Sequence, residues 1–237
     1  MCGGILWTCC VSIFRTSRAS ERAIRDLFLR FLKPGPTAIV LDIGCGGGEF
    51  SKRISDKVGA KHFYAVELLS EYAHKASEKG LSVVLANVDA GLPFRDSSFT
   101  IVVSNQVIEH VNSTDNFIAE CYRVLKSGGI CVISTPNLAS FHNIVSLALG
   151  FQPPITTVSD EVICGNPLDP CKGEKITSYR RHRRVFTAPS LRALFEFHGF
   201  KIKELTGIGL HPLPSIISKH IRIARYSHFL VIKAEKP

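Results

Sequence analysis

Acidic residues are in short supply: 20 Asp and Glu stand against 29 Lys and Arg, a net charge of +9 over 237 residues with a pI near 9.2. The imbalance points to an anionic partner, whether a phosphorylated metabolite, a nucleic acid or an acidic membrane surface, and charge alone does not choose among them. No internal repeat or low-complexity tract is present, so a repeat array is excluded. The apolar run between Met1 and Phe14, with Trp7, Cys9 and Cys10, falls short of the roughly 20 residues a bilayer span requires. It also lacks the leading basic residues of a secretory signal. With Arg15 and Arg18 behind it, the segment 1–18 reads either as a helix covering one edge of a domain or as a peripheral membrane contact. Standard zinc spacings are missing too. The eight cysteines stand at 2, 9, 10, 45, 121, 131, 164 and 171, several inside apolar strand-like runs where a reduced thiol acts as a small hydrophobe. A chain this long and apolar needs no disulfide staples, so a reducing cytoplasm is expected. Cys164 and Cys171 share a loop, but their six-residue gap fits no zinc pattern and reads as unlinked thiols.

What is present is globular: 45% hydrophobic residues and a mean hydropathy of +0.15 suit one α/β domain with an elaboration, or at most two small domains. Apolar residues at helical spacing from Arg18 to Leu32 predict a helix that stops before Pro34, Gly35 and Pro36. Strands are then expected at Ile39 to Ile43, His62 to Val66, Ser82 to Ala86, Thr100 to Ser104 and Ile130 to Ser134. Between them fall helices near Glu49 to Val58, Glu71 to Lys79 and Thr114 to Leu125, and a Ser127, Gly128, Gly129 turn. Such alternation predicts a doubly wound, mostly parallel α/β sheet with helices on both faces and a ligand at the carboxyl ends of its strands. After Pro136 the alternation breaks. A weak helix over Leu138 to Leu149 and a proline-rich, charged stretch through Arg184 form an insertion after strand five, longer than an ordinary connection. A helix from Thr187 to His198 and strands at Phe200 to Leu205 and His228 to Lys233 complete seven strands. The organisation expected is an N-terminal helical segment (1–36), a ligand-binding half (37–136), a substrate-covering insertion (137–186) and a C-terminal part completing the sheet (187–237).

The densest signal lies at Ile39 to Gly48, an apolar strand running into glycines at 44, 46 and 48 with Asp42 just ahead. Glycine takes positive φ cheaply and has no side chain to block approach, so this pattern suits a nucleotide-like ligand lying against the backbone. The alternative is a plain tight turn. A dinucleotide site wants Gly-x-Gly-x-x-Gly, but the third place counted from Gly44 is Glu49, which would face a pyrophosphate. A ligand without phosphates is therefore expected. Glu67, 25 positions after Asp42, ends the second strand, where a carboxylate can accept both hydroxyls of a ribose. Past the third strand comes Asn87-Val88-Asp89-Ala90-Gly91-Leu92-Pro93-Phe94. Singly, Glu67 and Asp89 read more simply as solvated strand-end carboxylates. With Asp42 they place three acidic positions at the ends of three successive strands, on the rim where a ligand must bind.

Together these motifs resemble the class I S-adenosylmethionine-dependent methyltransferases, of the type 11 or ubiquinone-menaquinone-biosynthesis-like kind. The likeness continues through Asn105 to Val111, Arg123 to Gly129 and Phe186 to Phe200, and so covers nearly all of 39–233. It implies a Rossmann-like seven-stranded fold, and a cofactor, S-adenosylmethionine, that carries an adenosine and a cationic amino acid but no phosphate. Its cofactor-binding positions would be Asp42, Gly44, Cys45, Gly46, Glu67, Leu68, Asp89, Ala90 and Asn105, with Asp89 receiving the adenine amino group.

The activity implied is methyl transfer to an O or N atom of a small-molecule or lipid- or sugar-linked acceptor; Thr135 to Gly150 and the Arg-His-Arg-Arg-Val-Phe-Thr run resemble enzymes of surface-glycan and lipid-linked sugar pathways. A sulfonium donor leaves as a neutral thioether, so alignment and desolvation dominate, and a base is needed only for an acceptor protonated at neutral pH. Glu109 and His110, just after strand four, are the candidates for that base; the other reading of His110 is a side chain that packs the next helix. Gln106, Glu109 and His110 are similar to the Glu-x-x-Glu-His metal motif of small-RNA and ubiquinone-pathway O-methyltransferases. With an amide in the first position, no metal is expected. Arg180, Arg181, Arg183 and Arg184 form either a solvated face or a clamp for a phosphate or carboxylate on the acceptor. Two other classes stay open. An RNA methyltransferase would use the positive charge, although no RNA-binding module is appended and no aromatics interleave with the arginines. A cofactor-binding protein without catalysis is the other.

Overall fold

The computed structural model describes residues 22–169, 171–176, 182–210 and 223–237. A helix over 22–31 (α1) precedes β1 (Ile39–Ile43), α2 (Glu49–Val58), β2 (His62–Glu67), α3 (Ser70–Glu78), β3 (Ser82–Leu85), β4 (Phe99–Asn105), α4 (Thr114–Val124), β5 (Leu125–Pro136), α5 (Phe141–Ala148), α6 (Ala188–Phe197), β6 (Lys201–Ile208) and β7 (Phe229–Glu235). The strands form one seven-stranded sheet in the order β3-β2-β1-β4-β5-β7-β6. β7 pairs antiparallel with both β5 and β6, and the other pairings are parallel. This is the Rossmann-like, mostly parallel α/β architecture the sequence predicts. Strand order reverses between β1 and β4, and a crevice for a ligand opens at such a switch point.

Successive strand residues face opposite sides, so each apolar strand feeds two cores. Leu41, Ile43, Val102 and Ile133 pack under α4 and α6 with Phe117, Ile118 and Phe195. Their neighbours Val40, Val103 and Val132 pack on the other face with Ile24, Leu27 and Phe28 of α1 and Ile54 and Val58 of α2. Cys45, Cys121 and Cys131 are buried free thiols, filling core space as small hydrophobes do.

Several boundaries differ from expectation, two of them for a reason visible in the hydrogen bonds. β5 begins at Leu125, so the Ser127-Gly128-Gly129 turn lies within the strand. Leu125 pairs with Phe99, the register shifts before Ile101, and Gly128 and Gly129 exchange backbone hydrogen bonds with Lys236 (2.8 and 3.0 Å), which draws the turn into the ladder. α5 begins at Phe141 rather than Leu138. The buried Asn137 accepts from the Ala139 N–H (3.0 Å) and donates to Ser227 O (2.8 Å), holding the chain in a local turn before the helix can start. A parallel bridge between Asn137 and Phe186 pins the two ends of the insertion together. The 1–18 segment, Arg180 and Arg181 lie outside the described residues. Among the described residues, no helix is long and apolar enough to cross a membrane.

Candidate functional site

The three glycines after β1 all take positive φ, at 78°, 54° and 84° for Gly44, Gly46 and Gly48, yet they do different work. A Cβ on Gly44 would lie 2.3 Å from Val107 Cγ2, so that glycine lets the loop after β4 close onto the turn. A Cβ on Gly48, the N-cap of α2, would meet Ala76 and Leu81 at 2.9 Å. Gly48 thus supplies the close packing that the third glycine of a Gly-x-Gly-x-x-Gly motif would give one position later. A Cβ on Gly46 would meet nothing within 4 Å, because that face of the turn is open. Glu49 is the acidic side chain expected to face a pyrophosphate. It is exposed in the first turn of α2 and pairs with Lys79 at 3.0 Å, whose hydrogen bond holds its carboxyl below the usual range.

Glu67 is the keystone of this rim. Its Oε2 accepts the Gly46 N–H at 2.8 Å, and its Oε1 accepts those of Leu68 and Leu69 at 2.9 and 3.1 Å. The carboxylate thereby ties the end of β2 to the glycine turn, and a carboxylate with about four acceptor sites has capacity left beyond these bonds. Asp42 lies behind the turn: it is 4% exposed and accepts from Ser51 Oγ of α2 at 2.6 Å. Burial, opposed by the Ser51 hydrogen bond and assisted by the nearby Glu67 charge, pushes its carboxyl up to about 6. Cys45 is buried between these carboxylates, and burial and their charges push its thiol up to about 12, so it is no nucleophile. Leu68 is largely exposed beside the rim. Asp89 sits in a short 3-10 turn, Val88–Ala90, with Asn87 accepting its N–H, and Ala90 is exposed next to it. Both Asp89 oxygens accept from Asn112, one from its N–H at 2.8 Å and one from its amide at 2.7 Å.

On the other side of the Gly44 and Val107 contact, a cleft of about 380 Å³ is lined by Asn105, Gln106, Glu109, His110, His182 and His228 among others. Gln106 holds a positive φ of 60°, which a non-glycine residue adopts at a cost, and bonds to Ser134 through both its N–H (3.2 Å) and its amide (3.1 Å). Ser134 Oγ in turn donates to Asn105 Oδ1 at 2.8 Å. Glu109 is 1% exposed and accepts from Thr135 Oγ1 at 3.2 Å; burial pushes its carboxyl up to about 8. Its Oε1 lies 3.9 Å from His110 Nε2, and the His110 ring stands 5.1 Å from that of His182. The Glu109 carbonyl accepts the N–H groups of Arg183 (2.7 Å) and Arg184 (3.1 Å), which staples the end of the insertion to the loop after β4. Arg183 and Arg184 are exposed, and Arg184 also donates to Asn112 O at 3.3 Å. That basic segment therefore borders Asp89 as well as the cleft.

The structure brings together Gly44, Cys45, Gly46 and Glu67 on one rim, Asp89 and Ala90 beside it, and Asn105, Glu109 and His110 in the adjoining cleft. Sequence reasoning missed Asn112, Thr135 and, as a site residue, His182. The last carried a faint signal, as the lone imidazole in a run of arginines.

The profile of the methyltransferase domain family matches residues 41–133, the stretch that holds the glycine turn, Glu67, Asp89, Asn105, Glu109 and His110. A Mycolicibacterium smegmatis protein named as a probable S-adenosylmethionine-dependent methyltransferase is 30% identical over 171 residues, covering 71% of this chain and 54% of that protein. The mitochondrial ubiquinone biosynthesis O-methyltransferase of Rattus norvegicus is 29% identical over 127 residues, 51% of this chain and 37% of its own. The chain thus spans about half the length, or less, of these curated relatives. A solved S-adenosylmethionine-dependent methyltransferase of Thermotoga maritima superposes with a TM-score of 0.66 at 21% identity, covering 94% of this chain and 92% of that one.

Proposed function

We propose, from the premise that this chain carries a class I S-adenosylmethionine-dependent methyltransferase domain, that it transfers the sulfonium methyl group to an oxygen or nitrogen atom of an anionic small-molecule or lipid- or sugar-linked acceptor. The observation that carries the reading is the Glu67 carboxylate bound to the Gly46 N–H beside the one glycine of the turn whose Cβ direction is open. A ribose laid on that face would find the remaining acceptor site of Glu67, and Asp89, steadied by Asn112, is the side chain we assign to receive an adenine amino group.

In the transfer, a lone pair on the acceptor forms the new bond to the methyl carbon while the carbon–sulfur bond breaks and its electrons leave on a neutral thioether. The acceptor, if a hydroxyl, gives up its proton. Glu109 and His110 face the cleft where that proton would leave, and Glu109 is held at a basicity suited to take it near neutral pH. Arg183 and Arg184, exposed where the insertion meets the cleft loop, supply positive charge for an acidic group on the acceptor, with Arg180 and Arg181 nearby in sequence. An oxygen acceptor is favoured by the likeness to a relative named as an O-methyltransferase.

The test is calorimetry with S-adenosylmethionine followed by incubation of the full chain, methyl-labelled cofactor and fractionated extract. Label in the small-molecule or lipid fraction supports the reading. Label in RNA would replace it with nucleic-acid methylation, and cofactor binding with no transfer to any fraction would make this a binding protein.

A further inference from the structure

We propose that α5 is a membrane-docking element, whose outward face settles into the interface of an anionic lipid bilayer and brings the cleft to a lipid-held acceptor. The inference deepens the proposed function by naming a lipid as the carrier of the acceptor, and it does not involve the segment 1–18.

α5 is built inside out. Its hydrogen-bonding side chains face the protein: the buried Asn143 donates to Asn137 O at 3.1 Å, and the half-buried Ser146 donates to His142 O at 2.9 Å and accepts from Asn166 Nδ2 at 3.3 Å. Phe141, Ile144, Val145 and Ala148 fall at i, i+3, i+4 and i+7, the spacing of an apolar stripe, and all four are exposed. Leu147 and Leu149 beside them are 58% and 56% exposed. None of these side chains joins a core cluster. A surface helix ordinarily buries its apolar stripe, and a contiguous apolar patch left in solvent marks an interaction surface.

Charge selects the occupant. No Asp, Glu, Lys or Arg occurs from Ser127 to Ser159, so the helix brings no charge into the patch. At its N-terminal end the Phe141 N–H bonds to Tyr226 O at 3.2 Å, which sets the exposed Arg225 and Tyr226 beside it, the guanidinium 5.8 Å from the ring centre. A phenol ring with one polar tip and an arginine with its head in water both suit the headgroup layer of a bilayer. Past the C-terminal end, Asp160, Glu161, Asp169 and Glu174 outnumber Lys172 and Lys175, so the Arg225 end should enter first. The chain as a whole, at +9, is drawn to the same anionic surface. A protein partner fits less well. Eight residues make a helix about 12 Å long, a fraction of the roughly 800 Å² per partner of a standard interface, whereas an apolar stripe with cationic neighbours suffices for interfacial lipid binding.

The helix also stands beside the cleft. The chain approaches α5 from Pro136 and leaves it toward Ile155, and both line the cleft. A docked α5 therefore holds the cleft against the bilayer, where an acceptor group on a lipid reaches it without leaving the membrane.

The experiment floats the full chain with vesicles of phosphatidylcholine, alone or with phosphatidylglycerol added. Binding is expected to the anionic vesicles, weakened by salt, and little to phosphatidylcholine alone. Ile144→Ser with Leu147→Ser should lower vesicle affinity about 10-fold or more, and Arg225→Gln about 5-fold. Neither change should move Tm or S-adenosylmethionine affinity by calorimetry. Phe141→Trp in a Trp7→Phe chain should shift its emission to the blue on anionic vesicles and be quenched by lipids brominated in their acyl chains, a readout that stands even if the serine variant fails to fold. Unmoved emission, or wild-type vesicle affinity in both the serine and the Arg225 variants, overturns the docking face. Self-association in sedimentation that the serine changes abolish, with no vesicle binding, overturns it in favour of a second copy. Vesicle binding without S-adenosylmethionine binding ends the methyltransferase assignment alone, and the reverse ends the docking alone.

Discussion

Two glycines of one turn should fail in opposite ways. In Gly48→Ala the new methyl carbon lies 2.9 Å from Ala76 and Leu81, in a backbone at φ 84°. The left-handed conformation costs an L-residue about 1 to 2 kcal/mol and overpacking about 1 to 3 kcal/mol more, so the variant should lose roughly 2 to 5 kcal/mol. In a chain of this size each kcal/mol moves Tm by about 2 to 4 °C, which puts the drop at roughly 5 °C or more. What remains folded should bind S-adenosylmethionine close to normally, since the strain is on the side away from the open face. Gly46→Ala, at φ 54° with nothing within 4 Å, should lose no more than about 2 kcal/mol of stability. Its methyl group points into the space a nucleoside would occupy, so cofactor affinity should fall about 10-fold or more. Thermal unfolding without ligand and calorimetry with it read the two quantities separately. A Gly46→Ala protein with wild-type affinity, or a Gly48→Ala protein with wild-type Tm, would refute the division of labour.

Glu67→Ala removes the acceptor of three backbone N–H groups and of the ribose, and should cost about 1 to 3 kcal/mol of cofactor binding, roughly 5- to 150-fold by calorimetry. Asn112→Ala leaves Asp89 one fewer donor and should weaken the cofactor several-fold, whereas Asn112→Asp, which sets two carboxylates together, should do worse; equal affinities would detach Asp89 from the adenine. For Asp42 the folded value of about 6 lies above the ordinary 3.8, so the native state holds the extra proton between them. Its contribution is therefore fully present below about pH 4 and lost as pH rises to about 6. Relative to Asp42→Asn, the wild type should lose about 2 to 3 kcal/mol across that window in denaturant titrations, and a flat difference would show that burial does not set this carboxyl. Neutralising Arg183 and Arg184 should raise KM for an anionic acceptor and flatten its salt dependence; an unchanged KM and salt slope would leave them a solvated face.

Much of this was legible because parallel strands advertise themselves. Runs such as Ile39 to Ile43 and Thr100 to Ser104 are apolar on both faces, and glycines or carboxylates mark where they end. The candidate rim was readable for the same reason, as Gly44, Gly46, Glu67 and Asp89 stand at strand ends that a doubly wound sheet must bring to one edge. Long-range partners were not legible. Nothing local tells that Asn137 will spend its amide on Ser227, delaying α5, or that Lys236 will draw a glycine turn into β5. His182 was hidden for the same reason, since its neighbours at Glu109 and His110 are met only after the insertion has folded back and bridged Phe186 to Asn137.

β7 is the last in sequence of the seven strands of this sheet, yet it lies between β5 and β6, pairing with β5 from Ile130 to Pro136. During synthesis, then, the first five strands can assemble while the edge of β5 stays bare, with Val132 and Ile133 poised in an unpaired ladder. A ribosome paused before residue 229, or a truncation there, would leave a sheet edge ready to recruit a strand from another chain. How long the β5 edge stays open is therefore set by the order of the strands in the chain, and it closes only when β7 arrives.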